Sequence, residues 1–137
     1  MIEHRFPLSR ESWRDEQTHV LPRVEVRVGE SDQAWGAVVD TGAAVTVIDV
    51  EVLRAAGWTE DELKQGDDVS VAGVKGSAAG RLFELTLRVG DLTLREVPCV
   101  VLEGVNDAVL LGQCRALELL VFEQHGPDEQ GALRLED

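Results

Sequence analysis

Val24, Val26 and Val28 alternate with Arg23, Glu25 and Arg27, the period-two pattern of a strand buried on one face. Residues 29–33 supply a turn, and the apolar run from Trp35 to Val39 predicts a returning strand that stops abruptly at Asp40. A second apolar run, Val45 to Ile48, follows almost at once. Asp49 is a good N-cap for a short helix from Val50 to Ala56, which Gly57 ends. Thr59-Glu60-Asp61-Glu62 is a capping box, so a second helical turn is expected to run to Gln65 before Gly66.

Farther along, Val69-Ser70-Val71 and Leu82 to Leu85 predict strand arms around a tip, 72–80, made almost entirely of small residues. Such a tip has no side chains with which to pack a core and is expected to be mobile. Leu85, Leu87 and Val89 alternate, Gly90-Asp91 forms a two-residue hairpin turn, and Leu92 and Leu94 resume the pattern. Val97 to Leu102 and Ala108 to Leu111 are expected as core strands, with Asn106-Asp107 turning the chain between them. A helix is expected from Gln113 to Leu120, burying Cys114, Leu117 and Leu120 at helical spacing. Val121 to Glu123 and Ala132 to Glu136 then make a closing hairpin. Residues 1–20 are charged and aperiodic; they predict a loose N-terminal extension, attached if at all through Phe6 and Trp13. The sum is a mainly β domain over residues 21–137, with one or two short helices.

At 137 residues the chain has room for one core and not for two packed lobes. A net charge of −13 argues against nucleic-acid partners and anionic membrane surfaces. Cys99 and Cys114 both lie in apolar surroundings, which predicts free thiols of a reducing compartment. His4, His19 and His125 are scattered, so neither a Cys–His pair nor a metal site is expected, and no cofactor. No run approaches the length of a membrane span, and the N-terminus is polar from the start, so a cytoplasmic location is expected.

The informative chemistry is at Ala37-Val38-Val39-Asp40-Thr41-Gly42-Ala43. A carboxylate between two core strands is costly unless hydrogen bonds or a partner offset its desolvation. Thr41 brings a hydroxyl, and Gly42 is expected to let the backbone turn tightly and aim its N–H at the carboxylate. An ordinary Asp turn is the plain alternative, but solvated turns are usually flanked by polar residues, and this one is flanked by Val and Ala.

These residues, with Ile48 closing the next strand, resemble the active-site motif of retropepsin-like aspartic peptidases. Val109-Leu110-Leu111-Gly112-Gln113 resembles the family's second signature, two large apolar residues before a glycine and a short helix. The resemblance covers roughly residues 21 to 136 and is closest to the single-domain bacterial members. It implies a retropepsin-like closed β-barrel, one half of an acid-protease site, completed as a homodimer in which each subunit contributes one Asp40. It implies Asp40, Thr41 and Gly42 as the catalytic set, with Thr41 bonding across the two-fold axis. Ala43 and the flap residues Gly73, Val74, Lys75 and Gly76 would touch a protein or peptide substrate, and Leu111 and Gly112 would support the Asp loop from behind. The 72–80 tip would then be the flap that closes over peptide, rather than a plain mobile hairpin loop. The terminal hairpin would take part in strands interleaved between subunits.

Two carboxylates about 3 Å apart, at an effective dielectric of about 20, repel by about 5 kcal/mol when both are ionised, so the pair would share one proton. One would act as general base on a water and the other as general acid on the peptide carbonyl. This chain departs from the retroviral members in having Ala44 where they carry an acid, and Gln113-Cys114 where they carry Arg and Asn or Asp. In those relatives the acid and the Arg pair, and losing both partners costs less than stranding one. The expected function is therefore a homodimeric aspartic endopeptidase. A catalytically inactive retropepsin-fold module for dimerisation or peptide binding is the alternative. A monomeric hydrolase pairing Asp40 with Asp49 or Asp107 is a third reading.

Overall fold

The first three strands form where the sequence pattern predicts a loose extension: β1 (Ile2–Pro7), β2 (Ser9–Arg14) and β3 (Gln17–Leu21). The computed structural model describes residues 1–73 and 76–136, with 72–73 and 76–78 described in backbone only. The partner that orders β1 lies at the far end of the chain, in a register from Ile2 opposite Leu135 to Pro7 opposite Gln130. Phe6 and Leu8 drop into the core at 4% and 7% exposure, whereas Trp13 stays 61% exposed, so of the two expected anchors Phe6 alone serves. β2 and β3 form a separate two-stranded ribbon.

The alternating valines then do what their period predicts. β4 (Arg23–Val28) pairs antiparallel with β5 (Trp35–Val39), burying Val24, Val26 and Val28 on one face. β6 (Thr46–Asp49) leads into α1 (Val50–Ala55), where the Asp49 carboxylate accepts the Glu51 N–H at 3.1 Å. α2 (Glu60–Leu63) carries the full capping box, Thr59 and Glu62 each bonding the other's backbone. β7 (Asp67–Gly73) and β8 (Gly76–Val89) form a long hairpin, and Gly90-Asp91 turns the chain into β9 (Leu92–Leu102). β10 (Val109–Leu111), β11 (Val121–His125) and β12 (Gln130–Leu135) complete the chain.

Six strands close a barrel in the order β4-β5-β10-β6-β9-β8, sealed where Arg27 and Val28 of β4 pair with Arg88 and Leu87 of β8. β7 extends the sheet outside the closed ring. The interior holds Val26, Ala37, Ile48, Leu87, Val89, Leu92, Val97, Val109 and Leu111, all at 0% exposure. Each large aliphatic among them contributes about 1.5–3 kcal/mol relative to an exposed position. The expected closed, mainly β barrel with short helices is the fold observed.

One local expectation is corrected. The helix expected from Gln113 is a tight turn followed by a single 3-10 turn, Leu117–Leu119. The N–H groups of Gln113 and Cys114 donate across to Ala43 and Ala44 instead of standing free at a helix start, and Arg115 adopts φ 53°, which breaks α geometry. Leu117 and Ala116 are buried there, while Cys114 and Leu120 are only half-buried. The terminal hairpin forms as expected from β11 and β12, and β12 also pairs with β1 of its own chain.

Candidate active site

β5 and β10 run parallel, with Val39 beside Leu111, so the chain leaves both strands at the same level. Asp40 follows one and Gly112 follows the other. The two exits are bonded together. The Asp40 N–H donates to Leu111 O at 3.0 Å, the Gln113 N–H to Ala43 O at 2.9 Å, and the Cys114 N–H to Ala44 O at 2.9 Å. The Gly112 N–H donates to the hydroxyl of Thr46, which is 0% exposed, at 3.1 Å. A Cβ on Gly112 would collide with the backbone of Val45, so the close approach requires glycine. Leu111 and Gly112 thus sit directly behind the Asp loop.

Within the loop, the Gly42 N–H donates to Asp40 Oδ1 at 3.0 Å and the Ala43 N–H to Asp40 O at 3.1 Å. Asp40 is half-buried, and among the described residues no cation pairs with it. The expectation for Gly42 is half right. Its N–H does reach the carboxylate, but it has no left-handed φ, and a Cβ there would meet only Asp40 Oδ1, at 3.4 Å. The fold of one subunit therefore does not demand glycine at 42. Thr41 is exposed, and among the described residues its hydroxyl has no partner.

In front of the loop lies a cavity of about 560 Å³ lined by Gly42, Ala43, Ala44 and Val45 on one wall and Val69, Ser70 and Val71 of β7 on the other. Val47, Leu82 and Val100 also line it, and among the described residues no charged side chain does. β7 and β8 pair as far as Gly73 opposite Gly76, and the arms of the hairpin predicted as a flap line the same cavity through Val69, Ser70, Val71 and Leu82. Val74 and Lys75, at its tip, lie outside the described residues. The structure brings Asp40, Thr41, Gly42, Ala43, Leu111 and Gly112 together; of the β7–β8 hairpin, Val69, Ser70, Val71 and Leu82 line the cavity beside them, and no contact of Gly73 or Gly76 with the loop is among the described ones.

The two other carboxylates considered as partners for Asp40 are occupied. Asp49 bonds the Glu51 and Val105 N–H groups, and Asp107 pairs with Arg23 at 3.0 Å. Among the described residues no three His, Cys, Asp or Glu side chains gather to hold a metal ion. Burial pushes the Cys99 thiol up to about 12, so it is inert as a nucleophile in the folded chain. Sequence reasoning did not find Thr46, a polar residue inside an apolar strand, nor the role of the Gln113 side chain, whose amide donates to Thr41 O at 3.0 Å.

A small β-barrel presenting an Asp-Thr-Gly loop from one strand end, braced by a Leu-Leu-Gly from its parallel neighbour, defines a retropepsin-like aspartic-protease fold. A solved structure of a retropepsin-like aspartic protease from Rickettsia conorii matches it with a TM-score of 0.67 at 18% identity, covering 98% of this chain and 92% of that one. No curated protein matches the chain in sequence. The family model described as aspartyl protease matches residues 24–114, well over half of the chain, and the chain belongs to that family, as a retropepsin-like member.

Proposed function

We propose that the chain is a homodimeric aspartic endopeptidase, with residues 21–137 as the peptidase domain and one Asp40 supplied by each subunit. The observation that carries this reading is the Asp40 carboxylate itself. One oxygen is fixed by the Gly42 N–H, among the described residues no cation pairs with it, and Gly42 and Ala43 of its loop line a cavity of about 560 Å³ to which the described residues bring no charged side chain. Membership of the aspartyl protease family supports the hydrolase class. The Thr41 hydroxyl and the outer face of Gly42, both without a neighbour outside the loop among the described residues, support a second copy on that side.

In this reading the two Asp40 side chains share one proton, because like charges at such separation do not both ionise. The ionised carboxylate takes a proton from a water held between the pair, and the water oxygen attacks the scissile carbonyl carbon. The protonated carboxyl gives its proton to the carbonyl oxygen, forming a neutral tetrahedral diol. Proton return to the nitrogen then breaks the C–N bond and releases acid and amine, with no covalent intermediate. Ala43 and the β7–β8 hairpin, including Gly73, Val74, Lys75 and Gly76, hold the peptide backbone by strand-like pairing. The setting we propose is cytoplasmic, in keeping with the free thiols Cys99 and Cys114.

The test is cleavage of a diverse peptide library by wild type and Asp40→Asn over a range of protein concentrations, at pH 4 to 7. Specific activity that rises with concentration and disappears in the variant supports the dimeric enzyme. A folded dimer that cleaves nothing moves the reading to the inactive dimerisation or peptide-binding module, since the same cavity would still accept an extended chain.

A further inference from the structure

Every carbonyl of the Asp loop for which a bond is formed is held from a defined direction, and one of these bonds comes from a side chain. Asp40 O accepts from Ala43, Ala43 O from the Gln113 N–H, and Ala44 O from the Cys114 N–H. Thr41 O instead accepts the Gln113 side-chain amide at 3.0 Å. A carbonyl oxygen only accepts, so the amide's NH₂ end must face it. Among the described residues Gln113 is the one side chain outside the loop that donates to it.

The geometry gives this bond a consequence. Thr41 C=O and Gly42 N–H belong to one planar peptide unit. Its oxygen is held by Gln113, and its N–H donates to Asp40 Oδ1 at 3.0 Å. A donor on the oxygen fixes the tilt of the plane and polarises the amide, which strengthens the N–H bond at the other end. Gln113 is itself rigidly placed. Its backbone N–H is bound to Ala43 O, and its carbonyl accepts from Ala116 and Glu118 at 3.1 Å each.

We infer that Gln113 is a positioning residue for Asp40, acting through the Thr41–Gly42 peptide plane as a neutral brace for the reactive carboxylate. The inference rests on the proposed peptidase reading for its kinetic consequences. The other charged groups here are Arg115 and Glu118 on the turn after Gln113. Both are exposed, Arg115 pairing with Glu96 while the Glu118 carboxylate caps the Arg115 N–H. An uncharged brace adds no countercharge to Asp40, which among the described residues has no cation partner.

Two variants test this. Gln113→Met keeps the length and removes the donor, and is expected to lower kcat about tenfold at unchanged KM and unchanged dimer affinity, the size of one oriented hydrogen bond. Its acid limb should move to higher pH, because the ionised carboxylate loses part of its support. Gln113→Glu keeps the shape but donates only when protonated, so its activity should approach wild type at the acid end and collapse as the pH rises. The Gly42 amide-proton resonance, followed by NMR across the same pH range, reports the bond directly and is expected to move upfield in Gln113→Met. If wild type cleaves and Gln113→Met keeps full kcat, its pH profile and the Gly42 resonance, the inference is overturned while the peptidase reading stands. A loss of kcat matched by an equal loss of dimer also overturns it. If wild type cleaves nothing yet the Gly42 resonance moves, the brace stands and the peptidase reading falls.

Discussion

The two faces of the Asp loop are built in opposite ways. On the inner face, Gly112 presses so closely on Val45 that a single added carbon has nowhere to go, and Thr46, fully buried, gives its hydroxyl to the Gly112 N–H. On the outer face, among the described residues, exposed Gly42 has only its own Asp40 oxygen nearby and the Thr41 hydroxyl has no partner. Both faces carry glycine, for different reasons. One glycine is required by the fold of the subunit; the other is allowed by it and not required. A subunit that finishes the support of its loop and leaves the reactive side bare fits the proposed dimer, in which a second copy and a peptide cover that side.

The largest effect is expected from Gly112→Ala. The new methyl must displace the Val45 backbone, at a cost of about 3 kcal/mol or more, because strands β6 and β10 are paired here and neither can retreat. Thermal or urea unfolding measures it. A variant within about 0.5 kcal/mol of wild type would remove the inner-face argument.

Gly42→Ala should separate fold from function. Stability is expected to stay within about 0.5 kcal/mol, since the added carbon meets ordinary contact at 3.4 Å and nothing else within 4 Å. Peptide cleavage is expected to fall by about a hundredfold, because a methyl on the open face displaces whatever approaches the carboxylate. Unfolding and kcat/KM, measured on one preparation, decide it. Loss of both together would mean that Gly42 is structural after all, and the contrast between the two glycines would be gone.

Much of this site is legible in the sequence because its signals are local. Alternating valines set β4, an apolar run stopped by a carboxylate sets the end of β5, and Thr59 with Glu62 sets a helix start within four residues. What escapes is what depends on distant partners. β1 has a charged, unremarkable pattern and becomes a strand because residues 130–135 offer it an edge. The segment after Gly112 has helical spacing, but its first N–H groups are claimed by Ala43 and Ala44, and it turns instead. Gln113 reads as a mere departure from the retroviral pattern until folding brings it against Thr41, 72 positions away.

The smallest effect concerns the β2–β3 ribbon, which packs on the core through Val20 and is tied to the body by ion pairs of Arg23 and Arg10. Arg23, at 29% side-chain exposure, donates to Glu11 of β2 at 3.0 Å and to Asp107 at 3.0 Å. The Arg23 hydrogen bond, helped by Ser9, holds the Glu11 carboxyl below the ordinary carboxylate range. Because the folded value is the lower one, the attachment is complete above the ordinary range and is lost as pH falls through the lowered value. Both groups are partly solvated, so the contribution is small and screened by salt. Hydrogen-exchange protection of the ribbon amides should therefore be level from pH 7 to about pH 5 and drop below it, while the barrel strands keep theirs. In Arg23→Gln the protection of residues 9–21 should already be reduced at pH 7, with a smaller acid step, the part left to the Arg10–Glu129 pair. An acid step of wild-type size in that variant would show that the ribbon is held by something other than Arg23.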